Sequence, residues 1–252
     1  MNCENAINQS LATLAGPFEK VQDFLAADAA CIAHLVSLSD ECSATMAQMA
    51  RELLQRAREE DNEFKFQTLL RALFQRSQPE ALDLAIEALA SPDADDKEAY
   101  VRPLVELEEP RVFSALIDFV TSAPSTDSDE ETENEGWALV EAIDWLRYHR
   151  VGRAAPSVLL RLNEYAYRVR RAAIDFVVSL DLQDAAPRLV QQLDREDDPD
   201  NLKALLDGLL KWNYVAALPR LRSALNSEPA KGNELLEKPL RSAIALLESS
   251  VR

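Results

Sequence analysis

Apolar residues recur at helical spacing along most of the chain. Phe66, Leu69, Leu70, Leu73 and Phe74 fall at i, i+3, i+4, i+7 and i+8, which is one stripe of an amphipathic helix. Leu139, Ala142, Ile143 and Leu146 form a second stripe, and Val169, Ala172, Ala173, Phe176, Val177 and Leu180 a third. Leu202, Leu205, Leu206 and Leu209 repeat the pattern again. Nearer the start, Met46, Met49 and Leu53 line one helix, and Phe18, Val21, Leu25, Ile32 and Leu35 another. NELLEKPLRSAIALLESS at 233–250 closes the series. Each stripe predicts a helix that hides one face.

The stripes are in register with one another. Pro79 to Pro110 is 31 residues, Pro156 to Pro187 is 31, and Pro187 to Pro219 is 32. The anomalous gap, Pro110 to Pro156, is 46, or 31 plus 15. Leu82, Ala85, Ile86 and Leu89 map by +31 onto Phe113, Leu116, Ile117 and Val120. Val158, Leu159 and Leu162 map likewise onto Leu189, Val190 and Leu193. A proline suits the first turn of a helix, where its missing N–H costs nothing. Two helices and two turns fit such a repeat, and a helix pair cannot bury its apolar faces alone, so neighbouring pairs must stack.

AAPRLVQQL at 185–193 and YRVRRAAIDFVVSL at 167–180 resemble HEAT repeats, including those of the bilin-lyase type. The first helix of such a pair opens with Ala-x-Pro-x-Leu and the second carries Val-Arg-x-x-Ala. The match is good over 153–225, fair over 78–122 and weak before that. The chain departs from the pattern where a glycine usually closes the second helix, since Leu-Asp-Leu-Gln-Asp at 180–184 has none. The resemblance implies an all-α fold, a right-handed α-solenoid of helical hairpins, with the second helices lining its concave surface. The expected organisation is one domain over 1–252, with about 12–13 helices. Residues 1–76 would be atypical N-terminal helices and 77–252 the repeats, interrupted by an acidic loop at 121–136.

Composition agrees with helices. Glycine is scarce, aromatics make up 6%, and Ala, Leu, Glu and Arg are abundant. The formal charge of −17 disfavours a nucleic-acid backbone or an anionic membrane and favours a basic protein partner. It also argues against the basic duplex-holding groove of the DNA glycosylases among HEAT-like proteins. No Lys or Arg precedes Lys20 and no long apolar run follows the start, so neither a secretory signal nor a membrane span is expected. Cys3, Cys31 and Cys42, odd in number and confined to the start, suggest reduced thiols and a cytoplasmic protein.

Chemistry-bearing motifs are few. Cys31 and His34 form C-x-x-H near Cys42 and Cys3, but metal sites ordinarily use two close pairs, so buried thiols are expected and no metal. No G-x-S-x-G, P-loop or G-x-G-x-x-G occurs, and there are two histidines, His34 and His149. Within TSAPSTDSDEETENEG at 121–136, the acidic run could meet a basic partner, or Ser125, Thr126 or Ser128 could accept phosphate. The plainer reading is a solvated loop with Thr132 or Asn134 capping the next helix.

A binding surface is legible in off-stripe residues. Trp137 and Tyr148 lie opposite Leu139 on their helix, with Glu141 and Asp144 between them. Tyr167, Arg168 and Arg171 point away from the next stripe, and Lys211 does so one repeat later. Aromatics edged with mixed charge are typical of binding hot spots, whereas Trp145 and Trp212 sit nearer the stripe edges and suit packing. The sequence therefore predicts a cytoplasmic, non-catalytic adaptor or scaffold that holds a protein partner on an acidic concave surface, with no cofactor. An acidic inhibitor of a basic toxin enzyme and a bilin-lyase-like chaperone for a chromophore or cofactor are the alternatives.

Overall fold

Every proline that marks the repeat opens a helix. Pro79 and Pro110 are first residues, and Pro156, Pro187 and Pro219 stand second in theirs. This arrangement is taken from a computed structural model, which describes residues 2–15, 20–59, 62–125, 133–227 and 230–250, with the side chains of 133–135 left aside. Phe18 and most of the acidic run, with Thr126, Ser128 and Thr132, lie outside the described residues, as does the side chain of Asn134. Ser125 is described, and its hydroxyl donates to Glu164 at 3.1 Å.

The described residues form fourteen α-helices and no strand. Two compact units divide the chain, Met1–Ala115 and Leu116–Arg252. The first contains α1 (Cys3–Ala12), α2 (Val21–Ser37), α3 (Ser43–Leu54), α4 (Asn62–Gln75), α5 (Pro79–Ala90) and α6 (Lys97–Val105), and α7 (Pro110–Ser122) crosses the boundary. The second contains α8 (Glu133–Tyr148), α9 (Ala155–Leu160), α10 (Tyr167–Ser179), α11 (Ala186–Gln192), α12 (Pro199–Lys211), α13 (Leu218–Ala224) and α14 (Glu234–Ser249). The expected helix number is therefore low.

Within the second unit the hairpins stack as the repeat requires. The second helices α8, α10, α12 and α14 pack each on the next, while α9, α11 and α13 each lie on their own partner. The stripes are the core: Leu139, Ala142, Ile143 and Leu146 are fully buried, as are Val169, Ala173, Phe176 and Val177. α10 and α12 approach so closely that a Cβ on Gly208 would stand 2.5 Å from Val178 Cγ2. Val178 is β-branched and has little freedom to move aside. Gly208→Ala is expected to cost about 1–3 kcal/mol in urea unfolding despite alanine's better helix propensity, and a neutral or stabilising result would contradict this contact.

In the first unit the pattern holds for α4, where Phe66, Leu69, Leu70 and Leu73 are buried. It fails for part of α2. Ile32 and Leu35 are buried, but Val21 and Leu25, expected in the same stripe, are 74% and 56% exposed. The N-terminal half of α2 instead borders an open cleft that α4 and α6 complete.

The missing glycine has a structural answer. Ser77, Arg150, Asp181 and Asn213 have φ between 47° and 59°, each two positions beyond the last residue of a helix. In each case the following N–H reaches back across the last turn: Gln78 to Leu73, Val151 to Leu146, Leu182 to Val177 and Tyr214 to Leu209, at 2.9–3.1 Å. These are left-handed C-terminal caps built without glycine, at a cost in backbone strain. Arg150→Gly should thus raise stability by about 1 kcal/mol, read as an increase in melting temperature.

Buried cations from elsewhere in the chain close other helix ends. Arg76 Nη1 donates to the carbonyls of Val36 and Leu38 at 2.9 and 2.6 Å, at the end of α2. Lys97 donates to Ala88 and Ser91 at the end of α5. Arg161 donates to Val120 and Ala123, both at 2.7 Å, at the end of α7. Each satisfies carbonyls that the helix leaves open and complements the negative end of its dipole.

Candidate functional site

α8, α10 and the first turn of α12 enclose a cleft of about 370 Å³. Its apolar wall is Trp137, Val140, Tyr167 and Ala172, and its polar wall is Asp144, Arg147, Arg168, Arg171, Asp175, Asp198, Asp200 and Asn201. Trp137 is 44% exposed and Tyr167 48%. The Arg168 guanidinium lies over the Trp137 ring, 4.4 Å from its centroid, and 5.4 Å from that of Tyr167. The stack exists because packing the α8 and α10 stripes against each other turns their opposite edges outward together.

Charge in the cleft is largely paired. Arg147 meets Asp144 at 3.0 Å, and Arg171 meets Asp175 at 2.9 Å while donating to the Asp200 carbonyl at 3.2 Å. Burial pushes the Asp144 carboxyl above its ordinary range, with Asp175 adding to the rise and Arg147 opposing it. Asp198 caps α12 by accepting from the Asn201 N–H at 2.9 Å. Two of the three guanidiniums in the lining are engaged with its carboxylates, and the lining holds no Ser, Cys, Lys or His.

No family model and no curated protein matches the chain. Among solved structures it is similar to a chain in the complex of CpcE and CpcF of phycocyanin lyase from Nostoc sp. PCC7120. The identity is 17%, the alignment covers 99% of this chain and 94% of that one, and the TM-score is 0.42.

Five of the eight residues picked from the sequence line this cleft: Trp137, Asp144, Tyr167, Arg168 and Arg171. Three do not. Tyr148, at the end of α8, is 81% exposed and meets the edge of the His149 ring at 5.1 Å. Glu141 is partly buried on α8, outside the lining. Lys211 donates to the Val178 carbonyl at 3.0 Å and pairs with Asp181 at 3.2 Å, so it caps the end of α10. Of the two tryptophans assigned to packing, Trp145 is buried against His149, and Trp212 donates to Asp181 at 2.7 Å. Arg147 and Asp175 were missed, although each stands three or four residues from a chosen one on the same helix. Asp198, Asp200 and Asn201 had no such signal, because only packing brings the start of α12 to this place.

The cysteines depart from expectation. Cys3 and Cys42 form a disulfide with their Cα atoms 5.3 Å apart, leaving Cys31 as the free, buried thiol. Two of the three thiols expected to be reduced are therefore joined, which removes the cysteine argument for a reducing compartment. His34 is engaged instead by the Ser10 hydroxyl, 2.6 Å from Nδ1. Among the described residues no single helix is long and apolar enough to cross a membrane.

A second cleft, of about 450 Å³, lies in the first unit between α2, α4 and α6. Phe24, Phe64 and Phe74 line it, with Asp28 and Arg71 paired at 2.8 Å in its wall. The sequence pattern hid this cleft by assigning Leu25 to the core.

Proposed function

We propose that the chain is a non-catalytic adaptor that holds a segment of another protein in the cleft between α8, α10 and α12. The carrying observation is that Trp137, Tyr167, Arg168, Arg171 and Asp144, separated by up to 34 residues (137 to 171), line one cleft with the two rings half exposed. Aromatic and arginine anchors surrounded by polar groups are where binding energy concentrates. The engaged carboxylates and guanidiniums favour contact over turnover, and neither metal nor cofactor enters this reading.

The test is affinity capture by the tagged full chain from extracts of the native host. The wild type should retain a defined protein, and Trp137→Ala with Tyr167→Ala should weaken that retention by at least about 30-fold, as for the loss of a hot spot worth 2 kcal/mol or more. Far-UV circular dichroism should be unchanged, and Tyr148→Ala should bind normally. Equal retention by the double variant would overturn the reading.

A further inference from the structure

We infer that the partner segment presents a carboxylate, from an Asp or Glu side chain next to an apolar residue, and that Arg168 binds it. The inference rests on the docking reading above and adds the chemistry of what docks. Three guanidiniums line the cleft, and two are in use, Arg147 on Asp144 and Arg171 on Asp175. Arg168 is exposed and makes no ion pair or hydrogen bond with any described residue. Its guanidinium lies over the Trp137 ring, 4.4 Å from the centroid, with the Tyr167 ring 5.4 Å away.

A guanidinium that rests on an aromatic ring makes that contact without using its N–H donors, which stay available to a ligand. The edge they form matches the two oxygens of a carboxylate, and the pairing is stronger and more directional than with a point charge. The stack also fixes the side chain before binding, so less rotamer freedom is lost on contact. Val140, half-buried in the lining, provides an apolar surface for the neighbouring side chain.

The carboxylates of the lining do not compete for Arg168. Asp144 and Asp175 are paired, Asp198 caps α12, and Asp200 stands in the first turn of α12, where the helix dipole favours negative charge. The chain's net −17 still attracts basic proteins at a distance, but salt screens that field beyond about 8–10 Å. Contact chemistry is set locally, so a partner that is basic overall would engage this cleft through an acidic residue.

The full chain, labelled with ¹⁵N, is titrated with three blocked dipeptides: acetyl-Leu-Glu-amide, acetyl-Leu-Gln-amide and acetyl-Leu-Lys-amide. The glutamate peptide should shift the Trp137 indole and Arg168 Nε signals with a Kd in the millimolar range, and the glutamine peptide should bind at least about tenfold more weakly, as for the loss of one charge-assisted pair. Arg168→Lys, which keeps the charge and loses the planar fork, should abolish the discrimination. Equal binding of the three peptides, preference for lysine, or unmoved signals with the glutamate peptide would overturn the inference. In the capture experiment, loss on removing the rings without loss in Arg168→Gln would sink the carboxylate assignment alone. Indifference to the rings would sink the docking reading itself.

Discussion

Glu196→Ala is expected to destabilise the protein by about 3–5 kcal/mol, the usual cost of stranding one partner of a buried ion pair. The Glu196 side chain is fully buried, and Oε1 accepts from Arg170 Nη2 at 2.8 Å and from the Asp198 N–H at 3.2 Å. Oε2 accepts from Arg170 Nε at 3.1 Å and from Gln192 at 3.3 Å. Arg170 in turn donates to the carbonyls of Glu164 and Tyr165, at 3.0 and 2.6 Å, so one network ties the turn before α10 to the turn before α12. Burial works against the Arg170 charge, but Glu196, Asp197 and Asp198 outweigh it and raise its pKa above the ordinary arginine range. Replacing the pair together, Arg170→Met with Glu196→Leu, should recover most of the loss, because no charge is then left buried alone. Urea unfolding reads both variants, and a loss below about 1 kcal/mol for Glu196→Ala would show that the network is not coupled to folding.

The second large effect is expected from the disulfide. Joining Cys3 to Cys42 closes a loop of 39 residues in sequence, and loop-closure entropy for that length corresponds to about 4 kcal/mol. Cys3→Ser with Cys42→Ser should lower stability by that order and speed amide exchange in α1, whose Ala6, Ile7 and Leu11 are buried. Unchanged exchange in α1 would show that its apolar contacts hold it without the bond. Cys31 supplies an internal reporter. Burial, with Asp28 adding, pushes its thiol from 9.0 to about 11, so the neutral form is favoured in the folded chain. A raised acid pKa gives a stability contribution that is complete below pH 9 and fades as pH rises through about 11. Iodoacetamide at pH 8 should therefore leave Cys31 unlabelled in the disulfide-bonded protein and label it when α1 is loosened, with mass spectrometry as the readout.

How much of this was legible in the sequence depended on the range of the interaction. The stripes through α4, α8, α10 and α12 and the prolines that open the repeats are local signals, because a helix places residues three and four apart on one face whatever surrounds it. The same rule picked out Trp137 and Tyr167 as residues turned away from their stripes. It failed at Leu25, whose spacing fits the core while α4 and α6 leave it open, and at Lys211, whose long side chain turns back to cap α10.

The sequence alone determined that this chain is helical, repetitive and paired, since periodicity and proline register depend on near neighbours only. The tertiary structure decided the rest: which cations close which helix ends, that Cys3 meets Cys42, and that Arg168 lies on Trp137 beside the first turn of α12. Those contacts join residues 31–41 positions apart in most cases, as in Arg161 to Val120 or Lys211 to Val178. Their partners are chosen by which helices pack side by side, and no local spacing records that choice.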